Sequence, residues 1–549
     1  MNEEPLSPDQ KTAFLAGVEL KRPGLSLLSA FLAGAVLMLT WWRVQDIGWR
    51  WSLSVITICL VYMVNIRLQQ REIPKTSWVL MGLTILLGMI TTLRSEDFTY
   101  LLSMPVTVVS LLLLTADFFN GQWLQFRLRE YFKAAFQAIA AFFVGFPVIA
   151  AQTARSSAQD PEQRTSGKRM ALGVFKGIVI AIPLLLIFIF LFAYADAVFE
   201  SKIDSLFEWL KADFLSQLVG RIMLTLFFTW LLAAALWLLI TQSKRKDLEP
   251  DQPLLKPFLG MTETTIVLVS LNLLFAFFLI IQFQYFFAGQ ANITTNGFTY
   301  AQYADRGFRE LLLAASIAGV VFFALASFTR RESKTKRLLF TVLGGLLLLQ
   351  VGVILVSAHQ RIVMYIDAYG LTGTRLVSQI FVFFLAAILL SLVVMEVTNK
   401  LKHTALVLLA AAMLFSLTLA LVNVDTVLAR HNIERALEGE ELDYSFLANL
   451  LSTDAEPYLF GVVQSGSLPP DYQENLEKLL TCRASAFEDD YPSGEVSWLD
   501  LNISAMRAKK LYAQNQDLLA QWSLEIIGTE RYFRGITIEG QEIFCSPAN

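Results

Sequence analysis

Residues 298–329 read FTYAQYADRGFRELLLAASIAGVVFFALASFT, a polar segment that runs directly into an apolar block. An α-helix advances about 1.5 Å per residue, so a block of about 20 residues crosses the roughly 30 Å hydrocarbon core of a bilayer. The apolar half therefore reads as a membrane span, and the polar half as its mouth. With residues 298–311 taken as one helix, Tyr300, Tyr303, Gly307 and Glu310 share a face. Asp305 and Arg309 pair at i, i+4 on the other.

The same kind of block recurs along the chain. Of the 549 residues, 55% are hydrophobic and only 17% charged, with 42 phenylalanines and a mean hydropathy of +0.53. Apolar blocks fall at roughly 24–42, 51–66, 77–93, 99–116, 172–195, 221–241, 261–287, 310–329, 338–357, 377–397 and 404–422. The expectation is an all-α polytopic membrane protein of about eleven transmembrane helices. Residues 1–23 form a polar tail, 24–422 the transmembrane domain and 423–549 a small, mainly helical domain with β structure at its end. Residues 123–151 begin as a basic amphipathic helix, and their apolar part is interrupted by Gly145 and Pro147. An interfacial or re-entrant element is expected there rather than a span.

Lys and Arg accumulate in cytoplasmic loops, so their distribution orients the chain. With the N-terminus inside, 24 of them fall on the inner side of the membrane domain and 10 on the outer. A bacterial inner-membrane protein with its C-terminus outside follows. Residues after Asn423 carry 21 Asp and Glu against 9 Lys and Arg, which makes the outer domain acidic. Cys482 and Cys545 both lie in it, where oxidation is permitted, so they are a candidate disulfide; Cys59 sits inside a span.

Polar residues concentrate at the outer ends of the spans. Asp196 closes the fifth; Tyr300, Tyr303, Arg306 and Glu310 open the eighth; Arg361, Tyr369 and Arg375 lie between the ninth and tenth, where Gly370 is placed to end a helix. Charges at that depth are costly unless paired, so Asp196 and Glu310 are expected to meet Arg306, Arg361 or Arg375. These eight residues form the candidate ligand site. The plainer reading is that they anchor helix ends at the interface. Three histidines, His359, His403 and His431, are scattered, and no metal-binding, phosphate-cradling or nucleophile motif occurs. No cofactor, metal or catalytic residue is expected. The expected partners are the lipid bilayer and, through the C-terminal domain, another envelope protein; nucleic acid is not one.

The runs YADAVFE at 194–200, YAQYADRGFREL at 300–311, AYGLTGTR at 368–375 and the segment from Asn423 to Leu459 occur in this order. Together they resemble the bacterial membrane family catalogued as domain of unknown function forty-one seventy-three, with its near relative forty-one fifty-three. The resemblance runs from about residue 170 to the start of the C-terminal region and implies an integral envelope protein without an established activity. Three readings follow. The protein is a non-enzymatic envelope sensor or assembly partner, a transporter or permease for a small ligand or ion, or a membrane enzyme acting on a lipid-linked substrate.

Overall fold

The computed structural model describes residues 20–42, 47–70, 72–156, 213–242, 257–287, 307–491, 502–527 and 533–547, with scattered positions between 181 and 199. Among these, eleven helices are long and apolar enough to cross a membrane. The protein is a multi-pass helical membrane protein.

The first half-bundle contains α1 (Pro23–Trp41), α2 (Gly48–Gln69), α3 (Lys75–Leu93), α4 (Asp97–Asp117), α5 (Leu128–Ser156) and α6 (Asp213–Gln242). Its core gathers Leu37, Tyr62, Leu80, Leu114, Phe118 and Leu236. With no water to drive helices together in lipid, close approach between small residues matters more. Gly34 shows this: a Cβ there would lie 2.9 Å from the Thr229 nitrogen and 3.0 Å from the Thr225 carbonyl oxygen. That glycine lets α1 and α6 touch backbone to backbone.

The second half-bundle contains α7 (Met261–Phe287), α8 (Phe308–Phe328), α9 (Lys334–Tyr369) and α10 (Gly373–Val397), around Phe322, Phe340, Leu347, Val351 and Leu389. Between the halves runs α11 (Thr404–Val422). Its Leu409 and Met413 belong to the first core, Val407 packs on the second, and Leu419 enters a third core beyond the membrane.

That third core belongs to the C-terminal domain: α12 (Val424–Leu437), α13 (Tyr444–Asn449), α14 (Glu456–Ser465), α15 (Pro470–Asp490), α16 (Ile503–Gln514) and the strands β1 (Glu525–Ile527), β2 (Phe533–Ile538) and β3 (Gln541–Pro547). The strands form one antiparallel sheet in the order β1-β2-β3. Local chemistry explains the boundaries. Asn423 and Asp443 accept from the N–H of Thr426 and Phe446 and cap α12 and α13, and Pro470 opens α15. Ile362 and Ile366 of α9, Leu376 of α10 and Leu419 of α11 share this core with Leu428, Leu459 and Leu479. The C-terminal domain is therefore welded onto the helix ends by a continuous apolar core.

Two expectations change. The segment around Gly145 and Pro147 is not interrupted, because α5 runs unbroken through both. Trp123 just before it donates to the Thr76 carbonyl, and Gln152 near its end accepts from the Leu20 N–H. Both flanks are thus tied to the side of the bundle away from the C-terminal domain. The eighth span starts at Phe308, since Gly307 holds φ at +104°, which breaks helical periodicity. Tyr300, Tyr303 and Asp305, with which Gly307, Glu310 and Arg309 are expected to share a face or pair, lie outside the described residues. The expected fifth span at 172–195 lies largely outside the described residues.

A candidate ligand site at the junction of the two domains

Of the eight residues singled out as a ligand site, Asp196, Glu310, Arg361, Tyr369 and Arg375 lie among the described residues. Tyr300, Tyr303 and Arg306 lie outside the described residues. Asp196 is exposed and accepts from the Phe199 N–H at 3.2 Å. Glu310 accepts from the Gly307 N–H at 2.9 Å and so closes the start of its own helix. Arg361 is buried, touches the space above Gly307 and donates to Gln282 at 3.1 Å. Arg375 stacks over Tyr365 at 4.0 Å and Tyr369 at 6.0 Å, and donates to the Tyr369 carbonyl. Gly370 ends α9 with a positive φ of 75°. Two small groupings result, one around Gly307 and Arg361 and one around Tyr365, Tyr369 and Arg375.

A more enclosed arrangement forms where the connection between α3 and α4 meets the C-terminal domain. Arg94 donates from Nε to the Ala420 carbonyl at 2.7 Å and pairs through Nη1 with Asp454 at 3.3 Å. The Ser95 N–H donates to the same carboxylate at 2.8 Å. Glu96 follows as the N-cap of α4: its two oxygens accept from the N–H groups of Phe98 and Thr99, each at 2.8 Å. From the C-terminal side, buried Asn502 donates to the Arg94 carbonyl at 3.1 Å and to the Tyr100 hydroxyl at 2.9 Å. Asp425, in the first turn of α12, accepts from the Ser452 N–H at 2.7 Å.

These contacts frame a cavity of about 520 Å³. Glu96, Asp97, Phe98 and Gly373 line it from the membrane domain, and Asp425 and Phe446 from the C-terminal domain. Its volume falls within the range of small-molecule pockets. One wall, the 449–452 segment, is held by Arg483, which is buried with Glu456 at 2.6 Å and donates to the carbonyls of Leu447, Ala448, Leu451 and Ser452. A buried guanidinium thus shapes the wall that holds Asp425.

Burial, reinforced by Glu96 and Asp454, pushes the Asp425 carboxyl up to about 6, although Ser452 bonds oppose the shift. Burial also raises Glu96, against the bonds from Thr99 and Phe98. Asp425 therefore gains a proton as pH falls through about 6, beside an aromatic and aliphatic wall. Among the described residues no group of three or more His, Cys, Asp or Glu could hold a metal ion. Cys482 and Cys545, far from the cavity mouth in sequence, are joined as a disulfide between α15 and β3.

Fold and junction define a class: a polytopic helical membrane protein whose C-terminal domain is fused to the helix ends around a polar joint. The chain belongs to the family described as domain of unknown function DUF4153, whose model matches residues 81–460. This is the family that the motifs indicate only as the near relative; membership of the first-named family, forty-one seventy-three, is not confirmed. The match begins in α3, well before residue 170, and takes in Arg94, Glu96, Asp425 and Asp454. Arg483, Asn502 and the disulfide fall beyond it. No curated protein and no solved structure matches the chain.

The junction could not be found by spacing. Arg94 and Asp454 are 360 residues apart, and Asn502 and Tyr100 are 402 apart. One local signal was readable: an acidic residue directly before a span, as Glu96 is before α4, is a helix cap.

Proposed function

We propose that this is a non-enzymatic protein of a bacterial inner membrane, with its N-terminus inside and its C-terminal domain outside, acting as an envelope sensor or assembly partner. The junction cavity is its recognition site. The observation that carries this reading is the shared construction of the cavity: both domains supply its walls, and a continuous apolar core makes them one body. Occupancy would then be felt on both sides of the joint. Sidedness is supported by the excess of Lys and Arg on the inner loops and by the Cys482–Cys545 disulfide, since such bonds persist in oxidising compartments.

The test is thermal unfolding of the purified protein in detergent against amines, sugars, lipids and peptides, comparing wild type with Asp97→Arg at the cavity rim and Glu310→Gln away from it. A ligand at 100 times its Kd stabilises the native state by about 2.7 kcal/mol. The proposal expects a stabilising compound whose effect is lost in Asp97→Arg and kept in Glu310→Gln. Loss in Glu310→Gln alone would move recognition to the Gly307 region and refute the junction site.

A further inference from the structure

The charged side chains that line the junction cavity are all of one sign. Glu96, Asp97 and Asp425 line it, and no Lys, Arg or His does so among the described residues. The cations nearby are engaged elsewhere. Arg94 holds Asp454 and the Ala420 carbonyl, and Arg483 holds Glu456 and four carbonyls of the wall.

The three lining acids differ in what is left to bind. Glu96 is occupied, since it accepts from the Phe98 and Thr99 N–H groups and from the Thr99 hydroxyl. Asp425 is only 3% exposed, yet Ser452 is its one hydrogen-bond partner among the described residues and no ion pair engages it. Asp97 lies exposed in the first turn of α4, with no hydrogen bond or ion pair among the described residues. A buried carboxylate without a counter-ion is costly, so a cation entering past Asp97 would relieve Asp425. Phe98 and Phe446 in the same lining offer aromatic surface to a cation or to an apolar body. An anion would find one favourable feature, the first turn of α10, which no side chain caps. It would meet three carboxyls there. The cavity, at about 520 Å³, has room for a molecule, whereas no three acids among the described residues are grouped to hold a metal ion.

We infer that the junction cavity binds an organic cation, an amine with an apolar body, whose ammonium group is drawn in by Asp97 and held by Asp425. This rests on the recognition reading above and gives that site its ligand class. Soluble amines and the ethanolamine head of a lipid both carry the group, and the cavity lies where α4 and α10 begin, at the ends of spans that reach both.

Thermal unfolding of the full-length protein in detergent near neutral pH tests it with three probes of similar shape: phenethylamine, phenylethanol and phenylacetate. Phenethylamine is expected to bind at least about tenfold more tightly than the alcohol, the size of one hydrogen bond to a charged group. Asp97→Asn and Asp425→Asn should each remove most of that margin and leave the alcohol unchanged. Both keep the shape of the side chain, so an unchanged response to the alcohol also shows that the cavity is intact. No stabilisation by phenethylamine, equal binding of the three probes, or a margin that survives both substitutions overturns the cationic class. If a neutral or anionic compound then acts and its effect changes in Asp97→Arg, recognition at the junction stands without it; if no compound acts there, both fall. Titration in nanodiscs of phosphatidylethanolamine and of phosphatidylcholine separates the two sources. Weaker apparent binding of phenethylamine in the former identifies the lipid head as the competing occupant, and equal binding identifies a soluble amine.

Discussion

Replacing Asp425 with Asn separates the charge of this side chain from its shape. In the native protein its carboxyl rises from 3.8 to about 6, which corresponds to a penalty of about 3 kcal/mol on the charged form. The groups facing it are Glu96 and Asp454, which oppose its charge, and Arg483, which favours it; Arg94 neutralises part of Asp454. A raised carboxyl contributes stability that is fully present below the unfolded value, near 4, and is lost as pH rises through about 6. Wild type should therefore gain stability on going from pH 7.5 to pH 4.5, and the rise in Glu96 acts in the same direction. The carboxamide introduced by Asp425→Asn keeps an oxygen for the Ser452 N–H and never ionises. Asp425→Asn should be more stable than wild type by about 1–3 kcal/mol at pH 7.5, with the difference falling to about a third of that at pH 4.5 and vanishing only below the unfolded value near 4. Thermal unfolding of both proteins across that range measures it. A variant that is less stable at pH 7.5, or a difference independent of pH, would show that the charge is balanced by its neighbours and that the junction does not respond to protons.

Other perturbations address the remaining joints. Breaking the Cys482–Cys545 bond by Cys→Ala at both positions opens a link across a separation of 63 residues; loop entropy puts the loss at about 4 kcal/mol, seen as faster proteolysis of the C-terminal domain. Arg483→Met leaves Glu456 buried without its partner and frees four carbonyls, so the domain should lose about 3–5 kcal/mol in chemical denaturation. Gly34→Val forces α1 away from the backbone of α6 and should cost about 1–3 kcal/mol, read as a lower Tm in detergent. In contrast, Gly352→Ala meets nothing within 4 Å and serves as the neutral control for that measurement.

Spans were legible because lipid imposes one simple rule: a helix must be apolar for about 20 residues. Caps were legible for the same reason of locality; Asn423, Asp443 and Pro470 act on groups two to four residues away. Helix α14 was hidden because Asp454 to Pro457 reads as a turn, whereas Pro457 occupies its first turn, where a missing N–H costs nothing. The third strand was hidden because β3 is recognised by its pairing with β2, from Phe533↔Pro547 to Ile538↔Gln541, and not by its own composition. The junction went unread for a deeper reason. Tyr, Arg and Glu at helix ends advertise themselves, but Glu310 spends its hydrogen bond on the start of its own helix and Arg375 on the end of α9. Asp425 and Glu96 look ordinary in the chain and become unusual only when a second domain buries them.

The path of the chain between α4 and α6 bears on orientation. Asp117 ends α4 on the side away from the C-terminal domain, because Glu96 at its start lies in the junction. Gly220, near the start of α6, packs on Trp42 at the opposite end of the bundle, beside the connection that leads into α2. An odd number of crossings must therefore separate Asp117 from α6. Helix α5 exposes Phe132, Phe136, Ile139 and Phe143 along one face, and both of its flanks are held on one side. If it lies in the interface, labels at those four positions should report one depth to lipid-borne quenchers; if it crosses, depth should change by about 16 Å from 132 to 143. Equal depths leave the apolar run 172–195 to supply the crossing and keep the Lys and Arg of 155–169 inside. A graded depth would place those charges outside and weaken the case for an external C-terminal domain, since that case rests in part on their count.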